Sequence, residues 1–111
     1  MKSVTSAVRA LCLDTAVSLD LSRSKDKNSK KFHSSRAAFL IPVAKAFSTE
    51  MGCELADIAI QVHGGMGYIE ETGIAQVYRD VRVTAIYEGT NGIQALDLVG
   101  RKLLDKGKVA C

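Results

Sequence analysis

Small and apolar residues near the start of the chain recur three and four apart. Val4, Ala7, Val8, Leu11, Thr15 and Leu19 share one side of a first helix. The pattern then breaks at Ser24-Lys25-Asp26-Lys27-Asn28-Ser29-Lys30-Lys31, which has no apolar side chain to bury. It predicts a solvated, mobile basic loop over residues 24–33. Helical spacing returns with Ala37, Ile41, Ala44, Met51, Leu55, Ile58 and Val62, with Phe47 alongside. Frequent small residues here, such as Ala38, Ala46, Ala56 and Ala59, allow helices to approach closely. Pro42 interrupts this run, because its ring excludes the hydrogen bond to the residue four back. It is expected in the first turn of the long helix, after a separate short turn, the alternative being a kink.

Gly64-Gly65-Met66-Gly67 should end the long helix, three glycines in four positions removing the steric bias toward helical angles. A short helix fits Thr72 to Val83, with Thr72 as its cap and Glu70 and Glu71 near its positive end. Val81 to Tyr87 has strand propensity but no second strand to pair with, so it reads as a helix end passing into an extended turn. A last helix starting at Thr90 or Asn91 should bury Ile93, Leu96, Val99 or Gly100, and Leu103. Asn91 and Gln94 stand at capping-box spacing. From Lys102 to Cys111 the apolar period is lost, predicting a frayed tail over residues 102–111. The expected fold class is all-α: one helical domain over residues 1–111, a marginal bundle whose leftover apolar stripes need a partner.

Composition narrows the class without changing it. The 111 residues are 47% hydrophobic and 24% charged, with a net charge of +3, as in a folded soluble protein. No apolar run reaches the roughly 18 residues of a membrane span, and Arg9 and Asp14 interrupt any signal-like core at the start. Cys12, Cys53 and Cys111 form neither a disulfide framework nor a CxxC metal site, which favours a reducing cytoplasm. Residues 1–33 hold seven Lys and Arg against three Asp. No aromatic interleaving or nucleic-acid motif accompanies that excess, so it reads as a connector and not as a nucleic-acid arm.

Two segments carry more chemistry than connectors require. Gln61-Val62-His63-Gly64-Gly65-Met66-Gly67-Tyr68 joins a helix end to a backbone with little side-chain cover, which lets a phosphate or planar ring approach the amides. It is not GxGxxG and no strand precedes it. His63 has no second ligand at metal spacing, and a lone histidine on a helix is far more often structural. In Ile86-Tyr87-Glu88-Gly89-Thr90-Asn91-Gly92, one carboxylate stands between an aromatic residue and a glycine, ahead of a helix start. If Ile86 and Tyr87 screen Glu88 from water, its proton affinity rises toward that of a base working near neutral pH. The plainer alternative is a turn glutamate that helps cap the last helix.

The stretch from Gln61 to Gly73, then Tyr78-Arg79-Asp80, then Ile86 to Gln94, resembles the C-terminal helical domain of acyl-CoA dehydrogenases. The EETG and EGTNGIQALDLVGRK wording is most similar to the larger subgroup that includes 3-methylmercaptopropionyl-CoA dehydrogenases. The resemblance covers nearly the whole chain. It implies FAD as cofactor, acyl-CoA thioesters as substrates and α,β-dehydrogenation as the reaction. Glu88 matches the base that removes the α-proton, while the β-hydride goes to flavin N5. Its backbone amide matches a donor to the thioester carbonyl, an arrangement like an oxyanion hole. Gly89 matches a substrate-contacting position. Gln61, Val62, His63, Gly64 and Gly65 match a segment that reaches the FAD of a neighbouring subunit, and Thr90, Asn91 and Gly92 match residues near the FAD of their own site. Arg79 and Asp80 match a structural pair.

Family members are several times longer, with an N-terminal helical domain and a central β domain that hold much of the flavin and acyl chain. The resemblance therefore implies part of an enzyme, a homo-oligomer that is inactive alone. The alternatives are a non-enzymatic, self-associating helical module and one subunit of a split enzyme.

Overall fold

The computed structural model describes residues 1–103, and among these every regular element is helical. Helix α1 spans Lys2–Leu21, α2 Lys27–His63, α3 Gly65–Tyr68, α4 Ile74–Arg82 and α5 Asn91–Asp97. Short 3-10 turns occupy Glu70–Thr72 and Val83–Ala85, and a wider helical turn spans Leu98–Leu103. The described residues thus form the all-α architecture expected, with no strand at Val81–Tyr87. The 3-10 turn there replaces the extended turn of the sequence reading. The frayed tail expected over residues 102–111 lies, from residue 104 on, outside the described residues.

Helix α2 dominates the shape. Its 37 residues give a rod of about 56 Å at 1.5 Å per residue, and the molecule measures 56 × 25 × 21 Å. The radius of gyration is 17.5 Å, against about 13 Å for a compact domain of this length. Everything else packs on that rod, with α1 against one part of it and α3, α4 and α5 against others.

Two expectations about α2 are corrected. The basic loop of residues 24–33 is shorter, because Lys27 already lies in the helix. Asp26 starts it: its backbone is extended and its Oδ2 accepts from the Ser29 amide at 2.8 Å, which satisfies one of the free donors of the first turn. The lysines that suggested a loop are the solvated face of the helix's first turns. Pro42 lies inside α2, not at its start. It removes one hydrogen bond to the Ala38 carbonyl, yet its ring is fully buried and the helix runs on through it.

The core is built from small side chains. Ala37, Ala44, Ala56, Ala75 and Ala85 are its buried apolar residues, and Ser18 and Pro42 are the largest side chains fully buried. On α1, Val4, Val8, Leu11 and Thr15 turn inward as predicted. Ser18 then takes the place expected for Leu19, which stays exposed. The α1–α2 hairpin is pinned where Arg36 bonds both oxygens of Asp14, at 3.1 and 2.8 Å, and the Ser18 hydroxyl at 3.3 Å. Helix α4 crosses α2 at Gly52, where an added Cβ would stand 3.1 Å from Val81 Cγ2.

The last segment departs most from its sequence pattern. Ile93, Leu96, Val99 and Leu103 do line one face, but all four are exposed, Leu96 at 75%. Amphipathic spacing identifies a face that favours cover, and nothing in it requires the cover to come from the same chain. Thr72 also differs from expectation: Gly73 stands at the N-cap of α4, while the Thr72 hydroxyl donates to the Met66 carbonyl at 2.6 Å. No described helix is long and apolar enough to cross a membrane.

Candidate active site

The chain between α4 and α5 turns through two consecutive left-handed residues, Glu88 at φ 56° and Gly89 at φ 89°. For glycine this geometry is free. For glutamate it costs on the order of 1–2 kcal/mol, because Cβ crowds the following carbonyl. The bonds that hold the turn come from elsewhere. Gln94 Nε2 donates to the Glu88 carbonyl at 3.3 Å, and Lys45 Nζ donates to the Gly89 carbonyl at 2.8 Å. An alanine at position 89 would be strained in φ and would set its Cβ 3.1 Å from Gln94 Nε2.

Glu88 itself is exposed. The cover expected from its neighbours is not supplied within this chain, since Ile86 and Tyr87 are 55% and 51% exposed. Thr90 caps α5 by accepting from the Ile93 amide at 3.4 Å. The Asn91–Gln94 capping box is therefore not formed, and both side chains serve other partners. Asn91 turns toward α2: its Oδ1 accepts from Lys45 at 2.9 Å, and its Nδ2 donates to Glu50 Oε1 at 2.8 Å and to Thr49 Oγ1 at 3.0 Å. Gly92 stays open, an added Cβ meeting only Thr90 Oγ1 at 3.9 Å. Lys45, Thr49 and Glu50 were not singled out from the sequence. The available signal was three polar residues at helical spacing in a stretch otherwise rich in alanine and apolar residues.

Gln61, Val62, His63, Gly64 and Gly65 sit at the C-terminal end of α2 and just beyond it. Gly64 ends the helix at φ 57°, ψ −140°, and α3 follows at once. Cβ atoms added at Gly64 or Gly65 would meet nothing within 4 Å, whereas one at Gly67 would stand 2.6 Å from the Ile60 carbonyl. Gly67 is thus needed for folding, while Gly64 and Gly65 present bare backbone to solvent. The His63 ring bonds the Ala59 carbonyl through Nδ1 at 2.8 Å. A carbonyl only accepts, so in the neutral ring Nδ1 carries the proton and Nε2 remains an acceptor.

Within one chain these two segments do not meet. Lys45, beside the Glu88 turn, and Gln61 are 16 residues apart on one helix, about 24 Å along its axis. A groove of about 620 Å³ is lined by Asp57, Ile60, Tyr68, Glu70, Tyr78 and Arg79 among others, and it includes neither Glu88 nor Gln61. In its wall Arg79 pairs with Glu70 at 3.1 Å and donates to Gln76 Oε1 at 2.9 Å, while Gln76 Nε2 donates to Asp80 at 2.6 Å. This ties α4 to the preceding 3-10 turn.

Comparison with known proteins places this arrangement. Residues 1–104 match the model of the acyl-CoA dehydrogenase C-terminal domain. The chain is 49% identical over 111 residues to the 3-methylmercaptopropionyl-CoA dehydrogenase of Ruegeria pomeroyi, covering 99% of this chain and 19% of that protein. It is 36% identical over 107 residues to a butyryl-CoA dehydrogenase of Syntrophomonas wolfei, covering 95% and 17%. With the mitochondrial very long-chain specific acyl-CoA dehydrogenase of Rattus norvegicus the identity is 38% over 88 residues, covering 79% and 13%. The chain thus spans less than a fifth of the length of these relatives.

Proposed function

The chain belongs to the acyl-CoA dehydrogenase family through its C-terminal domain, and on that premise we propose that it supplies the proton-abstracting wall of an FAD-dependent site acting on acyl-CoA thioesters. Glu88 is the base. Its carboxylate is free in solvent at the tip of a turn whose backbone is held from two sides. It takes the proton from the carbon next to the thioester carbonyl, and its own amide donates to that carbonyl oxygen, stabilising the charge that develops there. A bound FAD would supply the acceptor for the β-hydride. Gly89, without a side chain, lets the thioester lie against the turn.

The residues fit one edge of a flavin cofactor. Gly64 and Gly65 offer uncovered backbone, and exposed Gln61 and His63, with Val62 between them, flank it. At the Glu88 end, Thr90 and Asn91 give their side chains to the cap and to α2, so they approach the cofactor through backbone, beside Gly92. The separation of about 24 Å between these two segments carries the reading. It fits a chain that lends its base to one site and the glycine end of α2 to the flavin of another copy. A homo-oligomer follows, and the exposed face of Ile93, Leu96 and Val99 suits the contact. Further protein must enclose the acyl chain and the remaining flavin, so the 111-residue chain alone is inactive and colourless.

The deciding experiment loads the chain with FAD alone and beside the remaining domains of the enzyme. Flavin retained only in the second case, with acyl-CoA-dependent dye reduction, agrees with this assignment. One flavin held tightly by each isolated chain would overturn it. The exposed apolar face also favours a second function, a self-associating helical module without catalysis. An oligomeric chain that stays inactive after its missing domains are restored would point there.

A further inference from the structure

Lys45 is a half-buried cation in the middle of α2 whose ammonium group reaches across 44 residues of sequence to one backbone oxygen. Three observations converge on it. Its Nζ donates to the Gly89 carbonyl at 2.8 Å and to Asn91 Oδ1 at 2.9 Å. The oxygen it grips belongs to the second of two successive left-handed residues, the first of which is a glutamate that does not adopt that backbone cheaply. Asn91, its other acceptor, is itself fixed to α2 by Thr49 and Glu50, so the lysine closes a polar bracket around the turn. A bond from a charged donor to a backbone oxygen is among the stronger ones a half-buried site offers.

We propose that Lys45 is a positioning residue, holding the Glu88–Gly89 turn in its left-handed form and thereby fixing where the Glu88 carboxylate stands. This rests on the assignment of Glu88 as the base, but the hold on the turn is measurable without it. Without Lys45, the Gly89 carbonyl loses its donor, Glu88 relaxes toward negative φ, and the carboxylate swings away from its reactive direction. The residue touches no substrate. Its effect falls on the rate of proton abstraction, while acyl-CoA affinity stays as it was.

The test compares Lys45→Met, which keeps the stem and removes the donor, with Lys45→Arg, which restores a charged donor. The first readout is hydrogen exchange of the Tyr87 and Gln94 amides, which bond the Val83 and Thr90 carbonyls on either side of the turn and report its opening. The second is the split between kcat and KM in the complete FAD-loaded enzyme, with Glu88→Gln as reference. Expected for Lys45→Met are exchange about tenfold faster at both amides and a kcat at least about tenfold lower, with KM within about twofold. Lys45→Arg should recover most of both. Unchanged exchange in Lys45→Met would overturn the hold on the turn. Faster exchange with unchanged kcat, in an enzyme that Glu88→Gln inactivates, would overturn the positioning role. If Glu88→Gln remains active, the base has been misassigned, and the exchange data alone still decide whether Lys45 holds the turn. A Lys45→Met protein that does not fold leaves Lys45→Gln to be measured in the same way.

Discussion

Arg36 and Asp14 meet through both guanidinium and both carboxylate partners, at 3.1 and 2.8 Å, and the same Arg36 bonds the hydroxyl of Ser18, a fully buried residue. The ion pair is 42% exposed on both sides, so water and salt screen it to at most about 1 kcal/mol. The hydroxyl is another matter, because a buried polar group stripped of its partner loses its hydrogen bond without regaining water.

The two partners should therefore respond unequally to substitution. Asp14→Asn keeps Arg36 in place and should lower stability by less than about 1 kcal/mol. Arg36→Met should cost about 1–3 kcal/mol, since it also orphans Ser18. Denaturant unfolding of both variants, followed by helical circular dichroism, checks the order. Equal losses would mean that Ser18 finds another acceptor or donor.

Glu88→Gln should reduce dehydrogenation in the complete enzyme by about 10²- to 10⁴-fold, the range a general base supplies, with acyl-CoA binding retained. Loss of solvent exchange at the substrate α-carbon is the direct measurement. The amide keeps the size of the side chain and the left-handed turn, so a lowered melting temperature would argue for a structural role instead.

The glycines of the α2–α3 junction should separate into two kinds. Gly67→Ala drives a Cβ into the Ile60 carbonyl at 2.6 Å and should destabilise the fold by about 1–3 kcal/mol. Gly65→Ala meets nothing within 4 Å and should leave the melting temperature within about 2 °C. A drop in flavin affinity in the stable Gly65→Ala protein would then report a cofactor lying on that backbone. Full affinity would remove the segment from the site.

Leu96→Lys should break self-association without unfolding the chain. Leu96 is 75% exposed, so the monomer has little to lose, whereas a charge at the centre of an apolar contact costs several-fold or more in affinity. Sedimentation or light scattering across a concentration series measures it. An unchanged oligomer would show that the contact lies elsewhere.

Most of the helices were legible from apolar spacing, and the family from the residues of the two glycine-bearing segments. What spacing misread were boundaries and cover. The start of α2 was decided by Asp26, one side chain accepting from one amide, and a run of lysines hid it. Pro42 was read by its backbone chemistry alone, although burial in the packed helix outweighs the one hydrogen bond it removes. Periodicity identified the face of Ile93, Leu96, Val99 and Leu103 but not its cover, because spacing marks which side chains share a side and not what packs on it. Lys45 escaped notice for a related reason. Its role depends on a contact 44 residues away, and no local pattern encodes that distance.

Helix α2 acts as a ruler. One uninterrupted rod carries Lys45, which grips the Glu88–Gly89 turn, and Gln61, which begins the glycine segment. The spacing between them is a fixed number of residues multiplied by 1.5 Å, not a matter of loop conformation. Removing one turn between them would shift one mark against the other by about 5.4 Å, out of register for the shared sites proposed above. On that proposal, length in this segment is as constrained as sequence, and a deletion there should cost more than a substitution.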